Sequence, residues 1–95
     1  MLRFEWDDQK AETNQQKYGV CFDEAVTVFD DPLYLEDYDK AHSQQEDRFK
    51  IIGESDLGRL LVVVYVERSD RIRIISARVA TKNERTFYKQ KDSNR

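Results

Sequence analysis

Leu60-Leu61-Val62-Val63-Val64-Tyr65-Val66 is the longest apolar run in the chain, and it constrains the fold more than any other feature. Seven residues fall well short of the roughly 20 that a membrane-spanning helix needs. β-Branched and aromatic side chains favour extended backbone, so Arg59 to Arg68 reads as a strand. Ser69-Asp70 supplies a tight turn, and Arg71 to Val79 returns as a second strand. Upstream, Arg48 to Ser55 followed by the turn Asp56-Leu57-Gly58 adds a third. This half of the chain is expected to form an antiparallel sheet.

The other half is expected to be mainly helical. Phe4-Glu5-Trp6 alternates and predicts a short edge strand. Asp7 or Asp8 can cap a polar helix that runs to about Lys17, and Gly19 ends it with a left-handed conformation. Phe22, Ala25, Val26 and Phe29 lie at i, i+3, i+4 and i+7, one face of a helix. Asp23 and Glu24 suit its first turn, and Pro32 stops it. Leu33 to Leu35 predicts a short strand, and Glu36 to Asp47 an acidic connection containing His42. Thr81 opens a last helix, with Glu84 three residues on as a capping box. The fold class is α+β: a short N-terminal strand, a helical hairpin packed on one face of the sheet, and a C-terminal helix. A length of 95 residues suits a single domain, 1–95.

The turns set the register, and the register sets the faces. A turn at Ser69-Asp70 places Glu67 opposite Ile72, Tyr65 opposite Ile74 and Leu61 opposite Arg78. A turn at Ser55 to Gly58 places Glu54 opposite Arg59 and Arg48 opposite Tyr65. One face then holds Phe49, Ile51, Gly53, Leu60, Val62, Val64, Val66, Ile75 and Ala77, and takes the helical stripe. Arg71 and Arg73 fall on this face near its end. The other face is mixed. Arg48, Lys50, Arg59 and Arg78 surround Leu61, Val63 and Tyr65, with Glu67 and Ser76 beside them. An arginine fork matches phosphate, and an aromatic ring can stack a base. Paired surface charge, Glu54 with Arg59 and Glu67 near Arg68, is the plainer reading of the same residues.

Charge supports the first reading. Residues 1–47 hold 13 acids and 4 bases, whereas residues 48–95 hold 6 acids and 12 bases. The net of -3 hides a basic half that can meet phosphate if its charges share a face. Other chemistries find little support. One Cys and one His are too few for a zinc site. The acids at 30–31 and 36–39 lack calcium-loop spacing, and the three glycines make no phosphate-binding loop. Cys21, next to an amphipathic helix, reads as a small buried hydrophobe. A lone cysteine and the absence of an apolar leader segment suit the cytoplasm. Metal-free RNA cleavage stays open, because arginine and lysine can stabilise the charge of a reacting phosphate. Histidine is the residue type whose ordinary pKa lies near neutrality, which makes His42 the acid/base candidate.

At this point the residues resemble a family. Phe4-Glu5-Trp6-Asp7, Lys10, Asn14, Lys17-x-Gly19-Val20, Phe22-x-Glu24-Ala25 and Val28-Phe29-Asp30-Asp31 are similar to the N-terminal half of BrnT-family toxins. His42-Ser43, Glu46, Arg48-Phe49, Ile52-Gly53, Ser55, Gly58 to Tyr65, Glu67-Arg68, Arg71 to Arg78, Ala80, Glu84-Arg85 and Tyr88 continue the match in order. The resemblance implies a type II toxin of the RelE/ParE superfamily, with a RelE-like fold: two helices on one face of an antiparallel sheet and a cleft on the other. It implies an endoribonuclease that arrests translation without a metal or other cofactor. Its implied partners are a BrnA-type antitoxin, RNA as substrate, and operator DNA only through the antitoxin, with no membrane. It assigns Arg48, Arg59 and Arg78 to phosphate binding and transition-state stabilisation. His42 and Glu67 are the candidates for proton transfer, Glu67 alternatively orienting an arginine. Lys50, Tyr65, Lys17, Arg85 and Tyr88 are expected to contact RNA, the last two from the final helix. Arg59→Ala and Arg78→Ala are expected to keep the fold and lose growth arrest. One departure stands out: many relatives carry His after the lysine of Lys-x-Gly, where this chain has Tyr18. Two alternatives remain: a toxin of the same superfamily that blocks gyrase by protein contact, and a plain nucleic-acid-binding module.

Overall fold

The structure is a computed structural model, and it describes residues 2–93. Its strands are β1 (Arg3–Glu5), β2 (Leu35–Tyr38), β3 (Arg48–Glu54), β4 (Leu60–Arg68) and β5 (Arg71–Val79). Its helices are α1 (Asp8–Tyr18), α2 (Phe22–Ala25), which continues as a 3-10 segment (Val26–Asp30), and α3 (Lys82–Ser93). A second 3-10 turn covers Lys40–His42.

The caps behave as the sequence predicts. The Asp7 carboxylate accepts the Lys10 N–H at 3.0 Å, and Gly19 ends α1 at φ 70°. Thr81 and Glu84 exchange hydrogen bonds of 2.8 and 3.2 Å at the start of α3, which satisfies two N–H groups that have no partner in the helix.

The sheet has five strands in the order β1-β5-β4-β3-β2. It is mixed rather than wholly antiparallel, because β1 runs parallel to β5. The helical hairpin carries the chain from β1 at one edge, across one face, to β2 at the other. β2 occupies part of the expected acidic connection. Its Glu36 and Asp37 suit an edge strand, where charge discourages pairing with another chain.

The register differs from the expected one at two places. Glu67 faces Ile72 and Tyr65 faces Ile74 as predicted, but a bulge at Val64/Tyr65 then places Val62 opposite Arg78 and Leu61 opposite Val79. In the first hairpin Glu54 pairs with Leu60 and Arg48 with Val66. Arg59 stays in the loop, which closes through Ser55 N–H to Arg59 C=O at 2.8 Å. Excluding Arg59 from the strand slips the pairing by one, and that inverts the faces of β4.

Leu61, Val63 and Tyr65 therefore face the helices. They pack with Ile51, Ile74 and Ala77 against Val20, Phe22, Ala25 and Val28. Removing each large side chain from water is worth about 1.5–3 kcal/mol. The hairpin sits close to the sheet at Gly53, where a Cβ would lie 2.8 Å from Val28. Asn14 of α1 continues the edge of β5 beyond β1: its amide accepts the Ala77 N–H at 3.1 Å and donates to the Ala77 C=O at 2.8 Å. A side-chain amide here does the work of a neighbouring strand. The opposite face is only half covered. Tyr88 and Ala80 pack on Leu60 and Val62, with Leu33, Leu35 and Ile52 beside them.

Candidate functional site

That face presents three cross-strand rows, the last of them partly under α3. Arg48, Val66 and Arg73 form one, Lys50, Val64 and Ser76 the next, and Ile52, Val62 and Arg78 the third. Cations thus stand on both sides of an apolar strip contributed by β4. Arg48 and Arg78 flank β4 four residues apart, about 13 Å along the strand. That spacing suits an extended polyanion more than a single small anion. Arg73 was expected among the apolar residues. The slip between β3 and β4 carries it, with its partner Val66, to the open face, where it donates to Glu5 of β1 at 2.9 Å, and the bulge in β5 keeps Ser76 and Arg78 on that same side.

Arg78 is the most firmly held of these cations. Its guanidinium makes a fork with Glu84 at the start of α3, at 2.7 and 2.8 Å. The hydrogen bonds from Arg78 pull the Glu84 carboxyl down to about 2 against the opposing effect of burial, helped by Thr81 N–H. The same pairing raises Arg78, with a further contribution from nearby Tyr18. A cavity of about 470 Å³ lies between α3 and the sheet, lined by Asp37, Lys50, Val62, Glu84 and Phe87 among others. A groove of about 480 Å³ between α1 and β5 holds Lys10, Lys17, Tyr18 and Ser76. Ser76 belongs to both the open face and this groove. Lys17 is exposed, with Nζ 5.2 Å from the centre of the Tyr18 ring. Arg85 is exposed on α3.

At the other end of the face, His42 lies beside Arg48. Its Nδ1 is 3.1 Å from each carboxylate oxygen of Asp39. The His42 side chain is 67% exposed and that of Asp39 only 7%. Burial raises the Asp39 pKa, but the His42 hydrogen bond and charge, with Lys50, outweigh it and leave the carboxyl low. His42, Glu46 and Arg48 share a small cavity of about 170 Å³. Glu46 in turn makes a fork with Arg68, both bonds at 2.8 Å.

Four expected site residues are placed elsewhere. Arg59 is on the helix side of the sheet, forked to Glu24, with Nε to Oε2 at 3.0 Å, and it also donates to Gly19 C=O. The loop closure described above accounts for the change. The hydrogen bonds from Arg59 are the largest influence on Glu24, which is held low despite its burial. Tyr65 is 1% exposed. It stacks on Phe49 at 5.6 Å, and its hydroxyl donates to Glu36. Glu67 follows Tyr65 onto the helix side, where burial and the Glu67 charge raise Glu36. Tyr88 is buried between α3, which carries it, and the sheet, and its hydroxyl donates to Asp31 at 2.6 Å. Both displacements within β4 come from the one-residue slip. Tyr88 is inward because it lies on the face of α3 that packs on Leu60 and Val62.

Sequence reasoning missed Asp39, Arg73 and Glu84 as parts of this region. The i, i+3 spacing of Asp39 and His42 within a short turn was a usable signal for the first. Among the described residues, no group of three or more His, Cys, Asp or Glu side chains is placed to hold a metal ion. Likewise, no described helix is long and apolar enough to cross a membrane.

Comparison with known proteins agrees with this architecture. The chain has no significant match among curated proteins. A crystal structure of the Brucella abortus ribonuclease toxin BrnT superposes with a TM-score of 0.63 at 21% identity, covering 86% of this chain and all of that one. That likeness concerns the fold. The family model described as "Ribonuclease toxin, BrnT, of type II toxin-antitoxin system" matches residues 6–84. That span takes in both helices of the hairpin, the whole sheet beyond β1, and the Arg78–Glu84 fork, and on this evidence the chain belongs to the BrnT family of type II toxin–antitoxin systems.

Proposed function

We propose that this protein is the toxin of a type II pair and an endoribonuclease that binds RNA along the open face of its sheet. The observation that carries the reading is the set of rows in which Arg48, Lys50, Arg73 and Arg78 flank the apolar strip of β4. Such a face meets an RNA chain mainly at its phosphates, because Val62 and Val66 beneath the cations are buried and only Val64 of the strip is partly exposed. Arg48 and Lys50 stabilise the charge that builds on the phosphate as the ribose 2′-hydroxyl attacks it. Arg78, fixed by Glu84, grips a neighbouring phosphate, and Arg85 and Lys17 extend the contact at the rim. His42 takes the proton from the 2′-hydroxyl, and as the 2′-oxygen–phosphorus bond forms the P–O5′ bond breaks, giving a 2′,3′-cyclic phosphate and a 5′-oxygen that is protonated as it leaves. With cations preorganised in this way the step needs no metal ion.

The wider reading follows the family. The fold is RelE-like, cleavage arrests translation in the cytoplasm, and a BrnA-type antitoxin neutralises the toxin and carries it to operator DNA. The chain is a single domain whose small core suits a protein that works with a partner.

Purified protein incubated with a defined RNA in excess EDTA should produce fragments, and Arg48→Ala and Lys50→Ala should lower cleavage at least about tenfold each while keeping the wild-type melting curve; Arg78→Ala should lower it as much per folded molecule, with a lower Tm because it also removes the partner of Glu84. Induction in cells should deplete intact messenger RNA. Intact RNA with stalled replication would replace this reading with a toxin that acts by protein contact. Salt-sensitive RNA binding without cleavage or toxicity would reduce it to a binding module.

A further inference from the structure

The reading above gives His42 a proton-transfer role, and the surroundings of its ring add a second residue to that role. We infer that Asp39 is a positioning residue that holds the His42 ring with Nδ1 protonated and Nε2 presented beside Arg48. Three observations support it. Both Asp39 oxygens lie 3.1 Å from Nδ1, so the carboxylate accepts from that nitrogen and leaves Nε2 on the far side of the ring. The carboxylate is 7% exposed while the ring it holds is 67% exposed, an arrangement that places a desolvated acceptor behind an accessible base. Third, the loop has hydrogen bonds of its own besides those to this carboxylate. Asp39 N–H donates to Arg48 C=O at 2.7 Å, Ser43 Oγ donates to Asp39 C=O at 2.6 Å, and Arg48 N–H donates to Ser43 Oγ at 2.8 Å. Backbone and Ser43 therefore tie the Lys40–His42 turn to the start of β3, while the Asp39 carboxylate faces the His42 ring and its backbone N–H.

Burying a carboxylate costs free energy unless it is paired, and here its partner is an exposed imidazole. A base oriented by a third group is the arrangement that proton-transfer sites use to fix a tautomer. The other charged groups around the ring are Glu46 and Arg48, which share its cavity, and Lys50, which acts on Asp39.

His42 is the only histidine in the chain, so the ¹⁵N spectrum of the ring in uniformly labelled, full-length protein needs no assignment by mutation. The neutral ring should be predominantly the Nδ1–H tautomer. Asp39→Asn offers both a donor and an acceptor to Nδ1, so the tautomer preference should disappear. Cleavage should fall about 10–100-fold in kcat with little change in KM, and Asp39→Glu should restore part of it. An Nε2–H tautomer in the wild type would overturn the inference, whether or not the variants fold. So would an Asp39→Asn protein with wild-type kcat. His42→Ala separates the two readings. Full activity in that variant would remove the proton-transfer role of His42, while the wild-type tautomer would still report whether Asp39 holds the ring.

Discussion

Replacing Glu84 by Gln tests whether the arginine fork at the start of α3 is electrostatic or merely a fit of shapes. The glutamine keeps the size of the side chain and an oxygen that can accept the Thr81 N–H. It removes the charge that faces Arg78. In the folded protein the Glu84 carboxyl is held at about 2, against 4.5 for the free side chain. A shift of that size corresponds to at most about 3 kcal/mol. Both partners are partly exposed, 35% for Arg78 and 26% for Glu84, so screening reduces the pair's contribution to about 1–2 kcal/mol. The sign follows from the depressed pKa. The contribution is complete above pH 4.5 and is lost as the pH falls through about 2. Urea titrations of both proteins at pH 7 and at several values down to pH 2 isolate the pair, because all other carboxylates titrate in both. At pH 7 Glu84→Gln should be about 1–2 kcal/mol less stable, roughly 5–10 °C in Tm for a domain of this size. That difference should shrink towards zero near pH 2. A difference that stays constant with pH would mean that packing or capping, not charge, holds Arg78. The fork would then have no claim to preorganise that arginine for phosphate.

The structure also changes what Arg59→Ala should do. It leaves the buried Glu24 carboxylate with only Ser55 as a partner, and breaking such a pair should cost about 2–4 kcal/mol. Loss of toxicity in Arg59→Ala should therefore track a lower urea midpoint, and Glu24→Gln in the same chain should recover part of it. An Arg59→Ala protein with wild-type stability and no cleavage would return Arg59 to the site. Gly53→Ala puts a methyl group 2.8 Å from Val28 and should destabilise by about 1–3 kcal/mol through overpacking, read as a drop in Tm with no change in RNA affinity per folded molecule. Tyr65→Ala should cost about 3–5 kcal/mol because it opens a cavity in the core. A soluble, stable Tyr65→Ala protein that binds RNA weakly would contradict the buried placement.

Much of the fold was readable from local chemistry. Asp7, Gly19, Thr81 and Glu84 mark helix ends by hydrogen bonds that span three or four residues, and the Leu60 to Val66 run allows little but a strand. Signals of this kind act within a turn or two of backbone, so no distant contact is needed to read them. The α+β class and the family both rest on such pieces and their order.

The faces of the sheet were not readable in the same way. The assignment of Tyr65 and Glu67 to the open side failed by one residue, because the first hairpin excludes Arg59 from its ladder. The bulge at Val64/Tyr65 then moved Ser76, Ala77 and Arg78 by one residue relative to β4, so that Arg78 faces Val62 instead of Leu61. Sequence alone determined the elements, their order, and the supply of cations in residues 48–95. Only the tertiary structure decided which of those cations share a face. A side-chain period of two means that a single extra residue in a loop or strand exchanges inside for outside. The outcome is set by packing: the slipped register lets Leu61, Val63 and Tyr65 meet Phe22, Ala25 and Val28, and Arg48, Lys50, Arg73 and Arg78 are left together on the other side.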